Sequence, residues 1–172
     1  YDLGGVIHST SDGQKFATDH DTLKAQHSPK YYGLGKGVVS ISLVASHIPL
    51  DARMVSAHDA ESQWVFDLLY NNPTDIRPAI HSTDTHGANH VNFALLKVFG
   101  VEFAPRYADL HAKIATGLYG CQHPNQYGAD ALFRPVRPLN LDLISREWDN
   151  LLRIFVSLAR KTTTQSVLVS KL

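Results

Sequence analysis

The chain has 172 residues with 16 basic and 16 acidic side chains, 10 histidines, one cysteine and one methionine, and 44% of it is hydrophobic. That is the profile of an ordinary globular domain, long enough to bury about 70% of its unfolded surface without a disulfide or a structural metal. The zero net charge excludes a general basic excess for nucleic acid, though not a local basic groove. Cys121 has no partner for an internal bridge, no apolar run approaches the ~18 residues of a membrane span, and the start YDLGGVIHST has no basic stretch followed by an apolar one. A reducing cytoplasm is the expected setting. With Tyr1 first and Met54 the one methionine, the chain reads as a piece of something longer.

In chain order, residues 4–12 predict a short strand, with Val6 and Ile7 between a glycine pair and the Asp12-Gly13 turn signal. Residues 17–37 predict a surface loop carrying Asp19, His20 and Asp21, then the glycine-punctuated YYGLGKG. Residues 38–46 alternate with period two, placing Val39, Ile41, Leu43 and Ala45 on one face of a strand. HIPLD is expected to turn the chain into ARMVSAH, the return strand of a hairpin. Asp59 is expected to cap a helix with Glu61 in its first turn and an apolar stripe at Trp64, Val65, Leu68 and Leu69, ended by Asn71-Asn72-Pro73.

Residues 76–83 predict a fourth strand running into Asp84, HVNFALLKVFG a helix stopped by Gly100, and VEFAP a fifth strand. From Arg106 to Pro138 the pattern weakens into an excursion. Asn140 is expected to cap one long amphipathic helix over 141–161, whose stripe of Leu141, Ile144, Trp148, Leu151, Leu152 and Phe155 reads as a core face, with a homodimer face as the second reading. A further helical run ends at Leu172.

Three strands joined by short turns can pair as an antiparallel meander, whereas strands that return after helices run parallel. The expected fold class is therefore α/β, a mixed five-stranded sheet flanked by helices. If the fourth strand lies beside the first, Asp12 and Asp84 meet at the carboxyl ends of both, where ligands of open α/β sheets bind. Two carboxylates there suit a hard divalent cation such as Mg²⁺ or Mn²⁺. On the residues alone, the preferred reading is that Asp12 belongs to a Ser-Asp-Gly turn and Asp84 caps the following helix.

A resemblance favours the metal reading. HSTSDGQKF at 8–16 resembles the segment around the first catalytic aspartate of transposases of the Tn3 type, the class II replicative transposon family. YYGLGKGVVSISLVAS resembles the glycine-punctuated strand that follows there, and IHSTDTHGANHVNFALLKVFGVEFAPRYADL at 80–110 is similar to the second aspartate segment. RPLNLDLISREWDNLLRIFVSLARKTTTQSVLVSKL at 137–172 resembles a long downstream helix and Thr-rich linker. The resemblance implies an RNase H-like fold of the DDE class, with a core over about 4–118, an excursion over 119–138 and a helical extension over 139–172. It also implies a bacterial, nucleoid-associated setting and Mg²⁺, with Mn²⁺ as substitute, held by Asp12 and Asp84. Its partner is DNA, as transposon ends and as target, with a homodimer as an expectation for the full-length protein. The third carboxylate implied by the family is a glutamate in a Lys-Gly-Glu segment, which this chain lacks; of Glu61, Glu102 and Glu147, the last reads as a solvated helix residue. The expectation is a core cut before its third acid.

Around this pair, Lys15 and Arg106 are candidate contacts to DNA phosphates, Arg106 resembling an arginine of the family in form only. Gln14, Tyr31 and Tyr32 are weaker candidates, and Arg134 and Arg137 read as solubilising charge. A rival metal site draws on His81, His86 and His90, since His86 and His90 are four apart at an expected helix start. HGANH, however, lacks the glutamate of a His-Glu-x-x-His helix. Competing functions are a metal-dependent nuclease or phosphatase on the same fold and a non-catalytic DNA-contacting scaffold.

Overall fold

The computed structural model describes residues 5–20, 22–128 and 130–171. Gly4 of the expected first strand, Asp21 of the expected loop, Ala129 of the excursion and Leu172 of the last run lie outside the described residues. The chain divides into two compact units, one running up to Arg106 and resuming at Lys161, the other spanning Tyr107–Arg160.

The first unit is built on a mixed sheet of β1 (His8–Thr18), β2 (Lys36–Ala45), β3 (Ile48–Ser56), β4 (Ile80–Ser82) and β5 (Glu102–Phe103). Their order is β3-β2-β1-β4-β5, with Gln26–His27 adding a short pairing to β2. The first three run antiparallel, and β4 and β5 are parallel to β1. This is the expected α/β class with the RNase H-like arrangement of a meander extended by parallel strands.

The period-two reading of β2 holds: Val39, Ile41, Leu43 and Ala45 are all 2% exposed or less. They face α1 (Val65–Tyr70), whose Leu68 joins Val39, Ile41, Val55 and Trp64 in one apolar cluster. α2 (His90–Val98) ends as expected at Gly100, whose φ of 80° lies in the left-handed region that glycine adopts without a Cβ clash.

Several local readings give way to tertiary pairing. The first strand does not stop at Asp12-Gly13; β1 runs on to Thr18 because β2 supplies partners throughout, Asp12 opposite Ser42 and Gly13 opposite Ile41. The expected 17–37 loop therefore contains the end of β1, Gln26–His27 and a single helical turn at Pro29–Tyr32. The hairpin turn is Ser46-His47, at φ 47° and 67°, so Ile48-Pro49-Leu50 already belong to β3. Asp59 does not cap the helix. Its Oδ2 accepts the Ser56 N–H at 3.3 Å, and a 3₁₀ turn at Glu61–Gln63 precedes α1.

The second unit is more ordered than the weak pattern foretold. It contains α3 (Leu110–Gly117), capped by Asp109, and a parallel pair of β6 (Tyr119–Gly120) and β7 (Arg137–Pro138). The single long helix is instead α4 (Leu141–Arg146) and α5 (Trp148–Ala159), broken at Glu147 with φ −93° and ψ 10°. Its stripe is not a core face: Leu141 is 48% exposed, Trp148 51% and Leu152 47%. Helical periodicity shows that a face is apolar without showing what covers it.

The chain then returns to the first unit through α6 (Gln165–Val169), N-capped by Thr164. The backbone N–H groups of Gln165 and Ser166 donate to Asp67 Oδ1 and Oδ2 at 2.7 and 3.0 Å. The Gln165 amide accepts from Phe66 N–H at 3.0 Å and donates to Asn92 Oδ1. Asp67, Asn92 and Gln165 are all essentially fully buried and all bonded, as polar groups in a core must be.

Candidate metal and nucleic-acid site

The seam between β1 and β4 places the two aspartates at matching positions just past its end. Its parallel pairs are His8–Ile80, Ser9–His81 and Thr10–Ser82, and Asp12 and Asp84 each lie two residues past the last of them. The expectation that both stand at strand ends is corrected: Asp12 is in the middle of β1, and the parallel pairing, not the strand, is what ends beside it. Strand alternation puts Ser9 and Ser11 on the buried face and Thr10 and Asp12 on the other.

Asp12 is exposed, and its Oδ1 accepts a hydrogen bond from the Gly13 N–H at 2.9 Å. Asp84 is half-buried and tightly held. Its Oδ1 accepts from the backbone N–H of His86 at 2.9 Å and of Gly87 at 3.1 Å, and its Oδ2 lies 2.8 Å from His86 Nδ1. It does not cap α2, a role taken by Asn89 through a 2.7 Å bond from the Asn92 N–H. Burial pushes the Asp84 carboxyl up, but the His86 side chain and the two backbone donors outweigh it and hold the carboxyl below its ordinary value.

A third acid stands nearby that the sequence did not single out. Glu61, carried on the 3₁₀ turn after β3, places its carboxylate directly against Gly13, where any Cβ would collide with it. It is partly buried, and burial followed by the charges of Asp84 and Asp12 pushes its carboxyl up, with Lys15 and His86 pulling the other way. The missing signal is long-range: 48 positions separate Gly13 and Glu61 in sequence.

The histidine alternative dissolves. His81 is fully buried, with Ser9 Oγ 2.9 Å from its Nδ1 and Ser11 Oγ 3.1 Å from its Nε2. Burial, then the neighbouring His8, lowers its pKa to about 3. His86 lies before α2, not within it, and turns to Asp84. Among the described residues, no three His, Cys, Asp or Glu side chains converge to hold a metal ion.

Of the candidate DNA contacts, the Lys15 ammonium lies 4.3 Å from the centre of the Tyr31 ring, beside the Lys30 ammonium at 5.0 Å. Tyr32 packs inward, its hydroxyl donating to Val38 O at 3.1 Å. Arg106 follows β5, its backbone N–H donating to Thr83 O at 2.8 Å, and it lines a groove of about 410 Å³ with His8, Thr10, His47 and Ser82. Gln14 is exposed on β1; Arg134, Arg137, Cys121 and Glu147 belong to the second unit. The Glu147 carboxylate accepts from Asn150 at 2.8 Å and pairs with Arg146 at 3.4 Å.

The family model described as the Tn3 transposase DDE domain matches residues 1–172. Among curated proteins, the chain is 31% identical over 165 residues to the transposase for transposon Tn3926 of Escherichia coli and 32% identical over 167 to that for Tn501 of Pseudomonas aeruginosa. It is 30% identical over 170 residues to the transposase for Tn21 of Escherichia coli. Each match covers 95% of this chain but only 16% of the relative, so the chain spans about a sixth of the length of these proteins. No solved structure matches.

Proposed function

Since the chain belongs to the Tn3 transposase DDE domain family, we propose that it is part of the catalytic core of an enzyme that cuts transposon-end DNA and joins the freed 3′-hydroxyl to target DNA. The observation that carries this reading is the juxtaposition of Asp12 and Asp84, each two residues past the parallel β1–β4 pairing. Transposases act on DNA, and no helix among the described residues is long and apolar enough to cross a membrane.

The donor set fits Mg²⁺, or Mn²⁺ in its place. Carboxylate oxygens are the ligands hard cations prefer, and Asp84 is fixed by two backbone donors on Oδ1 and one side-chain donor on Oδ2, which leaves an Oδ2 lone pair open. Such ions, when bound, supply activation of the attacking oxygen and stabilisation of the leaving one. Asp12 and Asp84 would hold them, and the donors around Asp84 favour its ionised form. Glu61 adds negative charge beside the pair, and Lys15 and Arg106 contact DNA phosphates. In this reading the third carboxylate comes from a Lys-Gly-Glu segment outside these 172 residues, so the chain alone does not cleave. No Ser-His or Cys-His nucleophile is required, because both steps are direct displacements at phosphorus.

The test is nicking of labelled transposon-end DNA by the longer protein with Mg²⁺, beside Mn²⁺ titration of this chain. Asp12→Asn is expected to remove both; cleavage by the 172-residue chain alone overturns the assignment of the third acid.

A further inference from the structure

His81 is a buried imidazole that the proposed chemistry does not use, and its surroundings are specific. Ser9 Oγ donates to Ile80 O at 3.4 Å, which leaves the Ser9 oxygen to accept from His81 Nδ1–H at 2.9 Å. The ring's Nε2 then carries a lone pair and accepts the Ser11 hydroxyl at 3.1 Å. Every donor and acceptor in the chain of bonds is used once, and the ring is neutral. On the opposite face of the seam, Ser82 Oγ donates to Ala104 O at 2.8 Å, so His8 Nε2–H donates to Ser82 Oγ at 2.8 Å.

The Ser11–His81 bond is diagonal. His81 pairs across the ladder with Ser9, whereas Ser11 lies one residue past the last backbone pair and one before Asp12. The bond therefore ties β1 to β4 where the backbone no longer does. Strand register carries heavy consequences, since a one-residue slip turns each side chain to the other face.

We propose that His81 is a positioning residue for the aspartate pair: as a neutral Nδ1–H tautomer bridging Ser9 and Ser11, it fixes β1 against β4 past the end of their ladder and so sets the spacing of Asp12 and Asp84. Its link to metal binding rests on the function proposed above; its link to carboxylate spacing does not. Residues that orient ligands in this way change metal affinity about 10–100-fold when removed.

The experiment uses the 172-residue chain. Long-range ¹H–¹⁵N NMR is expected to show His81 protonated at Nδ1. In metal-free protein, ¹³C titration of the Asp12 and Asp84 carboxyls is expected to shift in Ser11→Ala and in His81→Asn, whose amide reaches only the Nδ1 position. Both titrations should stay as in the wild type in Ser9→Ala and in His81→Gln, whose amide reaches the Nε2 position. Mn²⁺ affinity should follow the same split, falling about tenfold or more in the first pair. An Nε2–H tautomer, unchanged carboxyl titrations in Ser11→Ala, or equal effects of Ser9→Ala and Ser11→Ala overturn the proposal. If the titrations split as expected but no variant or wild type shows Asp12-dependent Mn²⁺ binding, the metal assignment fails and the positioning role stands.

Discussion

Two polar sites, one built on a single carboxylate and one on three, lie in the same unit and have opposite characters. Around Asp67, burial is complete and both carboxylate oxygens accept backbone N–H groups from α6. Around Asp12, Asp84 and Glu61, three acids are left partly open to solvent, and burial followed by the charges of both aspartates raises the Glu61 carboxyl. Asp67 is closed off from solvent by the chain that bonds it. Asp84 accepts more hydrogen bonds than Asp67 yet stays open to solvent, the condition of a site whose partner arrives from outside. Burial thus separates the scaffold from the chemistry more sharply than residue type or hydrogen-bond count does.

The comparison is broken most decisively by Asp12→Asn or Asp84→Asn. In the longer protein either is expected to lower strand cutting by roughly 10³-fold, the several kcal/mol that metal-assisted charge stabilisation supplies. Thermal melts should show Asp12→Asn unfolding no lower than the wild type, because it relieves repulsion. Asp67→Ala is the mirror case. It leaves the N–H groups of Gln165 and Ser166 buried without acceptors and should cost about 2–5 kcal/mol in denaturant unfolding, without altering the Asp12 and Asp84 carboxyl titrations in the protein that remains folded.

Acid sensitivity separates the buried His81 from the open acids as well. His81 titrates at about 3 in the fold against 6.5 when free, so between those values the unfolded chain takes up the extra proton. Stability should therefore fall as pH drops below 6.5, by up to about 1.4 kcal/mol per pH unit, and this component should vanish in His81→Gln. Glu61 runs the other way. Its raised carboxyl binds a proton more tightly in the fold, so stability is lost as pH rises through the carboxylate range. Glu61→Gln should consequently raise the melting temperature at neutral pH, with the gain closing at acid pH; a lower melting temperature at both would show that Glu61 is a structural acid like Asp67. The smallest expected effect is that of His86→Ala, which frees Asp84 Oδ2 and should change Mn²⁺ affinity by a few-fold at most, since the histidine side chain is 82% exposed.

Much of the sheet was legible because its signals are local. The alternation of β2 and the glycine after α2 report burial and a chain stop directly. The meander followed by parallel strands came from connection lengths. The misread places are those where distant chain decides: Asp12-Gly13 is a turn by local chemistry and a strand because β2 lies beside it. Asp84 resembled a helix cap, but Asn89 lies closer to the helix start and takes that part. Strand order paired the two aspartates and the resemblance favoured their metal reading over the turn and cap ones, whereas Glu61 reads locally as a helix-start acid, its place beside Gly13 arising only when the turn after β3 folds over it. His81 enters the rival metal reading because sequence spacing does not tell a buried imidazole from an exposed one.

The return of the chain through α6 has a consequence for the order of events during folding. Asp67 is bonded to a backbone group 98 positions downstream, and the whole of the second unit is synthesised between them. While a nascent chain ends short of Gln165, the carboxylate, the Phe66 N–H and the Asn92 amide all face a place that nothing yet fills. The sheet can pair early, from the neighbouring strands of its meander, but the unit that carries Asp12 and Asp84 is closed last. Closing so long a loop is slow relative to local pairing. The bonds from α6 to Asp67, Phe66 and Asn92 can form only after the module between the two parts of their unit has been synthesised.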